Sequence, residues 1–285
     1  FRFSAKANSV SRMHKERALA VWPEYPMDNI TNGIYLPRWD SIRSAEDIWL
    51  AHQSNKKKLL KYIEENTGES WGEDVLLFGW GRRLVPYKQP MAFIEDVDRF
   101  LTLAKDTKKP FKIVFSGPTS DNNNNELTIS LRNFINEKLD GVAVFLPHFN
   151  IELAVLMVSG CDVWLNTPII GREACGTSGM KAALNGVLPL STADGWVAEV
   201  DLKVCGWVVE SPENLSEQLL DTAEKEIVPL YYEHLSGPEN STWLSYMKNS
   251  RSLIERQFST SRVLKEYTEK CYIPILNNKH IHKYQ

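Results

Sequence analysis

The chain has no apolar run near the roughly 18 residues that a membrane-crossing helix needs, and no secretory leader is visible. Cysteine is scarce. The four residues Cys161, Cys175, Cys205 and Cys271 are scattered and form no C-x-x-C pair. That excludes a disulfide-stapled framework and predicts reduced thiols in a cytoplasmic setting. Excess charge is also lacking. A formal net charge of -3 gives no electrostatic footprint for nucleic acid or for a polybasic membrane contact. No internal repeat is present. The asparagine run at 122–125 is too short for a prion-like tract and reads as a loop and helix entry. The chain opens on Phe1 rather than Met, which predicts a fragment or a trimmed chain. What is present is ordinary for a globular protein: 285 residues, 43% hydrophobic and 24% charged, enough for one large domain or two small ones.

From about residue 75, short apolar runs alternate with helical patterns. Strands are expected at Val75–Phe78, Lys112–Ser116, Val142–Leu146, Asp162–Leu165 and Val187–Leu190, with Trp207–Val209 as a sixth. Helices are expected at Ala45–Glu65, Lys88–Lys105, Asn125–Leu139, Ile151–Ser159 and Ser178–Asn185. Three more follow at Asn214–Val228, Trp243–Gln257 and Ser261–Tyr272. The alternation predicts an α/β fold with a mostly parallel sheet covered on both faces. Ser44 with Asp47 reads as a capping box, and Ser261 as the start of the last helix. The tail from Asn277 is polar, and His280 and His282 read as solvated side chains, so no metal site is assigned.

The stretch from Gly171 through Glu173, Ala174, Cys175, Gly176, Thr177, Ser178 and Lys181 to Gly186 is the densest signal. A small-residue loop runs into a helix, where backbone amides can converge on an anion. Lys181 lies in the first turn, where the helix dipole disfavours a cation by roughly 0.3–1 kcal/mol. A bound phosphate, or condensation of the amine with a cofactor aldehyde, would relieve that cost. The alternative is a solvated helix lysine after a flexible turn. A second basic run, Gly81-Arg82-Arg83-Leu84-Val85-Pro86-Tyr87-Lys88, follows the first strand of the sheet. Ligands of open α/β sheets gather at that edge, and such cations can hold phosphate. Alone, this run also reads as a solvated basic loop.

Glu173–Gly186 closely resembles the pyridoxal-phosphate lysine motif of the α-glucan phosphorylases, and the match continues through Val187–Glu199. Arg82-Arg83, a spacer and Tyr87-Lys88 resemble the family's phosphate-binding run, with Val85 and Pro86 as departures. Ala7–His14 resembles the end of the family's N-terminal domain. Thr31-Asn32-Gly33-Ile34 and Pro37-Arg38-Trp39 resemble the interdomain crossover. By themselves, Asn32-Gly33 reads as a tight turn, Trp39 as a core tryptophan and His14 as structural.

The resemblance implies pyridoxal 5'-phosphate on Lys181, with Arg82, Thr177, Ser178 and Trp39 around the cofactor. Arg83 and Lys88 would serve both the cofactor region and the phosphate substrate, and rank with Lys181 as catalytic. Asn32, Tyr87, Glu173, Ala174, Cys175 and Gly176 would meet the sugar. His148, Phe149 and Asn150 stay unassigned. The implied fold is the Rossmann-like, doubly wound C-terminal domain of a two-domain glycosyltransferase-B architecture. Residues 1–35 would end the N-terminal domain and cross over, 36–258 would carry the cofactor, and 259–285 would pack back towards the absent domain. The implied reaction is phosphorolysis of α-1,4-glucan ends by inorganic phosphate to glucose 1-phosphate. The family's glycine-rich phosphate-covering loop and sugar-binding histidine are not found here, so the chain alone is expected to be inactive. Two other readings stand beside this one: a cofactor-free nucleotide-sugar glycosyltransferase on the same fold, and a non-catalytic glucan-binding module. A two-carboxylate glycosidase lacks a second carboxylate partner for Glu173 at suggestive spacing.

Overall fold

The computed structural model describes residues 4–118, 126–237 and 241–277. The asparagine run and the histidine-bearing tail lie outside them. The chain opens with β1 (Asn8–Ser9), α1 (Arg12–Val21) and β2 (Asp28–Asn29), and the two short strands pair in parallel. Next come α2 (Leu36–Trp39) and α3 (Ile48–Thr67), then β3 (Leu76–Gly81), α4 (Val97–Ala104), β4 (Phe111–Ser116), α5 (Glu126–Lys138) and β5 (Ala143–Leu146). The second half holds α6 (Ile151–Gly160), β6 (Val163–Asn166), α7 (Thr177–Leu184), β7 (Leu188–Thr192) and β8 (Trp207–Val209). It closes with α8 (Leu215–Thr222), α9 (Val228–Ser236), α10 (Thr242–Gln257), α11 (Thr260–Tyr267) and α12 (Ile273–Asn277).

The main sheet has six parallel strands in the order β5-β4-β3-β6-β7-β8. All six expected strands form. The order runs outward from β3 in one direction and from β6 in the other, so the switch point of a doubly wound sheet falls between them. Side chains alternate between two apolar layers. Leu76, Phe78 and Trp80 of β3 enter one core, while Leu77 enters the other. Strands buried on both faces need this near-continuous apolar character. Phe78, Phe93, Phe100 and Phe111 interlock in the first layer with ring centroids 4.9 to 5.9 Å apart.

Four local expectations are corrected. Asp47, not Ser44, caps α3: its carboxylate accepts from the amides of Trp49 and Leu50 at 2.9 and 3.1 Å. Ser259, not Ser261, caps α11, accepting from the Arg262 amide. The single helix expected over Lys88–Lys105 splits into a 3-10 turn at Pro86–Lys88 and α4. Gln89 takes a left-handed φ of 45°, and the Thr167 hydroxyl donates to the carbonyls of Lys88 and Gln89, so tertiary bonds capture this stretch. Asn32-Gly33 is not a turn. The Asn32 amide donates to the Val10 carbonyl, and a Cβ at Gly33 would press on the Phe258 backbone. Two helices also widen into π turns, at Ala223–Ile227 and Thr268–Tyr272. Each precedes a proline, Pro229 or Pro274, which lacks the N–H that would close the next turn.

Ile34 bridges Ser259 in parallel: its amide donates to Phe258, and the Thr260 amide donates to Ile34. The segment before α2 and the segment between α10 and α11 therefore run side by side. Among the described residues, no helix is long and apolar enough to cross a membrane.

Candidate functional site

The loops after β3 and β6 meet at the carboxyl edge of the sheet, on both sides of the switch point. They wall a cleft of about 390 Å³ lined by Arg82, Arg83 and Lys88 from the first loop and by Glu173 through Ser178, with Lys181, from the second. Val10, Asn32, Pro118 and Phe149 complete the lining. Most of the residues singled out in the sequence thus come together. Trp39 and Tyr87 do not line this cleft. Each packs against a cation that does: Lys181 Nζ lies 3.8 Å from the Trp39 ring centroid, and Lys88 Nζ lies 5.2 Å from that of Tyr87.

Arg82 leaves the end of β3 and is buried. It is fixed by its amide, which donates to the Ser116 carbonyl, and by the close approach of Gly117, where a Cβ would collide with the Arg82 carbonyl. Arg82 Nη2 and Lys88 Nζ both donate to the same oxygen, Oε2, of Glu173, the lysine at 2.7 Å. Burial lowers the Arg82 pKa even against the attraction of Glu173. Burial pushes the Glu173 carboxyl up, but the charge of Arg82 and the hydrogen bond from Lys88 outweigh it and hold it below its ordinary value. Arg82 Nη1 is buried and has no hydrogen-bond partner among the described residues. Arg83, by contrast, is exposed to solvent.

The second loop is held from beneath by Asp194. One carboxylate oxygen accepts from the amides of Arg172 and Glu173 at 3.1 and 2.9 Å, and the other accepts from Gly195. Burial nonetheless raises the Asp194 pKa. Gly176, at φ 83°, turns the loop into α7, whose first turn has no side-chain cap. The amides of that turn have no side-chain cap, and Thr177 and Ser178 of the same turn line the cleft. Cys175 is a buried thiol with its pKa pushed up to about 12 by burial, so it is no thiolate. Lys181 is half-buried, and burial followed by the charge of Arg38 lowers its pKa.

Asn185, one turn beyond Lys181, ties the Trp39 segment to this helix. Its amide donates to the carbonyls of Trp39 and Lys181 at 2.8 and 2.9 Å, and its oxygen accepts from the Ser41 amide at 2.8 Å. Arg251 adds a bidentate pair to Asp40 and a bond to the Leu184 carbonyl. Sequence reasoning gave neither Asp194 nor Asn185 a role, although both lie in or beside the lysine motif. Three other polar residues serve local backbone structure instead of this cleft. His14 Nδ1 accepts from Val10, Asn150 caps α6, and His148 takes a left-handed φ of 56°. Among the described residues, no group of three or more His, Cys, Asp or Glu could hold a metal.

Cations and an uncapped helix start at the switch point of a doubly wound α/β domain are groups able to hold an anionic ligand. The carbohydrate phosphorylase family profile matches residues 40–207, and the chain belongs to that family. Its relatives include the glycogen phosphorylase of Aquifex aeolicus, 31% identical over 340 aligned positions that cover 98% of this chain and 49% of that protein. The maltodextrin phosphorylase of Thermococcus litoralis is 29% identical, covering 97% of this chain and 40% of the relative. The glycogen phosphorylase of Mycobacterium tuberculosis strain H37Rv is 26% identical, covering 96% and 39%. The chain thus spans about half the length, or less, of these curated relatives.

Proposed function

We propose that this chain is the cofactor-carrying C-terminal half of an α-glucan phosphorylase, which cleaves α-1,4-glucan ends with inorganic phosphate to give glucose 1-phosphate. The observation that carries this reading is the convergence of Lys181, Arg82, Lys88 and Glu173 on one cleft from two loops far apart in sequence.

The residues present fit pyridoxal 5'-phosphate. Arg82 Nη1 is a buried donor without a partner, and the first turn of α7 offers uncapped amides. Lys181 has a lowered pKa and a ring beneath it instead of a carboxylate. When bound, the cofactor supplies a phosphate that exchanges a proton with the substrate phosphate. The chain's own residues do the rest. Lys181 holds the cofactor, its amine made more nucleophilic by partial desolvation. Arg82, Thr177 and Ser178 hold anionic oxygens. Arg83 and Lys88 orient the substrate phosphate and stabilise its charge as the glycosidic bond breaks. Glu173, the backbone of Ala174, Cys175 and Gly176, and the side chains of Asn32 and Tyr87 meet sugar hydroxyls.

Residues 1–35 and 259–285 belong, in this reading, to the junction with an N-terminal domain, around a core domain of 36–258. Two observations support that division. The Ile34 and Ser259 segments run side by side, as a two-stranded hinge would. Helix α11 has no buried residue, and Leu264, Tyr272, Ile273 and Leu276 stand exposed along the C-terminal helices. A cytosolic location follows from the reaction proposed, since its phosphate and sugar phosphate are intracellular metabolites.

The test is chemical. The chain is reconstituted with pyridoxal 5'-phosphate, reduced with borohydride and digested, and the adduct is mapped by mass spectrometry. It is expected on Lys181. An adduct confined to other lysines, or none at excess cofactor, refutes the reading.

A further inference from the structure

For the cleft to take an anion, the loop from Arg172 to Ser178 has to hold the Glu173 carboxylate and the first turn of α7 in one arrangement. The loop is built of short side chains from Ala174 to Ser178, and α7 begins without a side-chain cap. Apart from the Glu173 carboxylate on Arg82 and Lys88, little inside the loop fixes it.

We propose that the turn after β7, Asp194-Gly195-Trp196, is the positioning element of this loop, and that Asp194 and Trp196 are positioning residues that set the anion affinity of the cleft without touching the ligand. The inference rests on the phosphorylase reading of the cleft and adds to it the residues that hold its second loop in place.

The turn grips the loop at three points. At the start, Asp194 Oδ2 accepts from the Arg172 and Glu173 amides at 3.1 and 2.9 Å, while Oδ1 closes back on the Gly195 amide at 2.7 Å. In the middle, the Trp196 amide donates to the Cys175 carbonyl at 3.0 Å. At the end, the buried indole lies against Gly179 in α7, where an added Cβ would stand 3.3 Å from Nε1. Gly195 permits the close approach: its φ is 57°, and a Cβ there would collide with the Cys175 carbonyl.

The grip is anchored outside the loop. The Trp196 and Phe258 rings meet in a T shape with centroids 5.2 Å apart, and the Phe258 carbonyl accepts from the Ile34 amide at 2.8 Å. A site held by a packed support of this kind keeps its geometry better than a loop left to itself. The support also reaches the opposite loop. Asp194 fixes the Glu173 backbone, and the Glu173 carboxylate in turn sets Arg82 and Lys88.

Stability and positioning separate at Trp196. Its Nε1 is buried with no hydrogen-bond partner among the described residues, which is a cost to folding. Phenylalanine removes that donor, but its shorter ring leaves a gap where Nε1 and Cζ2 meet Gly179. The two effects oppose each other in stability, whereas for the first turn of α7 there is only a loss of support.

The experiment is a calorimetric titration of inorganic phosphate into the cofactor-free 285-residue chain, Trp196→Phe and Asp194→Asn, under conditions where urea unfolding shows each protein to be folded. Lys88→Ala is the control that places the phosphate in this cleft. Both positioning variants should bind phosphate about tenfold or more weakly than the wild type. A role in stability alone predicts unchanged affinity, since the ligand meets folded molecules. Unchanged affinity in either variant, no measurable binding by the wild type, or full affinity in Lys88→Ala overturns the proposal. A second measurement needs no variant. By linkage, an anion that binds better to the gripped loop must also tighten the grip, so saturating phosphate should slow hydrogen exchange at the Arg172, Glu173 and Trp196 amides together, by about tenfold or more. Unchanged exchange at these amides overturns the proposal equally. Adduct mapping to a lysine other than Lys181 would remove the phosphorylase reading while leaving the phosphate and exchange results interpretable, so the two failures stay distinct.

Discussion

Lys181 Nζ lies 3.8 Å from the centroid of the Trp39 ring, and Asn185 arranges the contact from one helical turn away. Asn185 is fully buried and bonds the backbone of Trp39, Ser41 and Lys181 together. The ring face attracts the ammonium, while burial and Arg38 disfavour it. The lysine is thus held in one place with a lowered pKa and, among the described residues, no carboxylate partner.

Asn185→Ala should release the Trp39 segment. Buried backbone groups left unpaired cost about 1–3 kcal/mol each, so the urea midpoint should fall clearly. Reduced pyridoxal adduct at Lys181 should also fall at limiting cofactor, because the tryptophan no longer fixes the amine. A variant with unchanged stability and unchanged labelling would show that Asn185 holds nothing in place.

A second polar cluster lies at the opposite edge of the sheet and concerns stability. Asp162, just before β6, accepts from Lys56 Nζ at 2.6 Å, pairs with His52 Nε2 at 2.9 Å and accepts from the Leu77 amide. Lys56 also donates to the Val75 carbonyl and the Tyr231 hydroxyl. Lys56→Ala strands a buried carboxylate and should cost about 3–5 kcal/mol in urea unfolding. Lys56→Met with Asp162→Leu should cost much less than the two single changes added together.

The same cluster gives a pH dependence. Burial raises the Asp162 carboxyl, but Lys56 and then His52 outweigh it, so the folded pKa lies below the ordinary value. A depressed folded pKa means stability that is fully present above the unfolded value and lost as pH falls through the folded one. His234 has the same sign, because burial lowers its pKa and acid must charge it. The urea midpoint should therefore begin to fall below about pH 6.5 as His234 protonates, and fall again below about pH 4 as Asp162 does. A midpoint that rises on acidification would contradict both.

The sheet was legible because each strand is a short apolar run bounded by turn residues, and burial on both faces demands that composition. The loop carrying Glu173, Cys175 and Lys181 was legible because its small residues and lysine are contiguous. What was hidden depends on contacts distant in sequence. Glu173 meets Arg82 across 91 positions, and Asn185 reaches Trp39 across 146. No local pattern encodes either. The helix expected over Lys88–Lys105 forms only from Val97, because Thr167 and Ile169, from the loop after β6, take the carbonyls of Tyr87, Lys88 and Gln89 at its start.

In a full-length protein, Lys88→Ala should weaken use of inorganic phosphate while leaving glucan affinity nearly intact. A lost charge-assisted bond is worth about 1.5–3 kcal/mol in the transition state, which is roughly a ten- to hundredfold fall in kcat/KM for phosphate. Arg83→Ala should act in the same direction. Arg83 is exposed and unpaired with Glu173, so its loss should leave the fold untouched. Equal loss of glucan binding in either variant would mark these cations as a structural cluster.

The 285-residue chain by itself should be folded yet catalytically silent. Two apolar layers cover both faces of its sheet, which is enough buried surface for a domain of this size to melt cooperatively. Its cleft is another matter. The relatives are about twice as long, and among the described residues the cleft is lined by the two sheet loops, the Val10 and Asn32 segment, and Pro118 with Phe149. In the proposed two-domain mechanism the other wall comes from a partner domain, and without it water would weaken each contact from Arg82, Arg83 and Lys88 to the phosphates. A single cooperative transition by calorimetry, with no glucose 1-phosphate released from maltodextrin and phosphate, is the expected result. Release of glucose 1-phosphate by this chain alone would show that its own loops complete the site, and the two-domain mechanism would have to be abandoned.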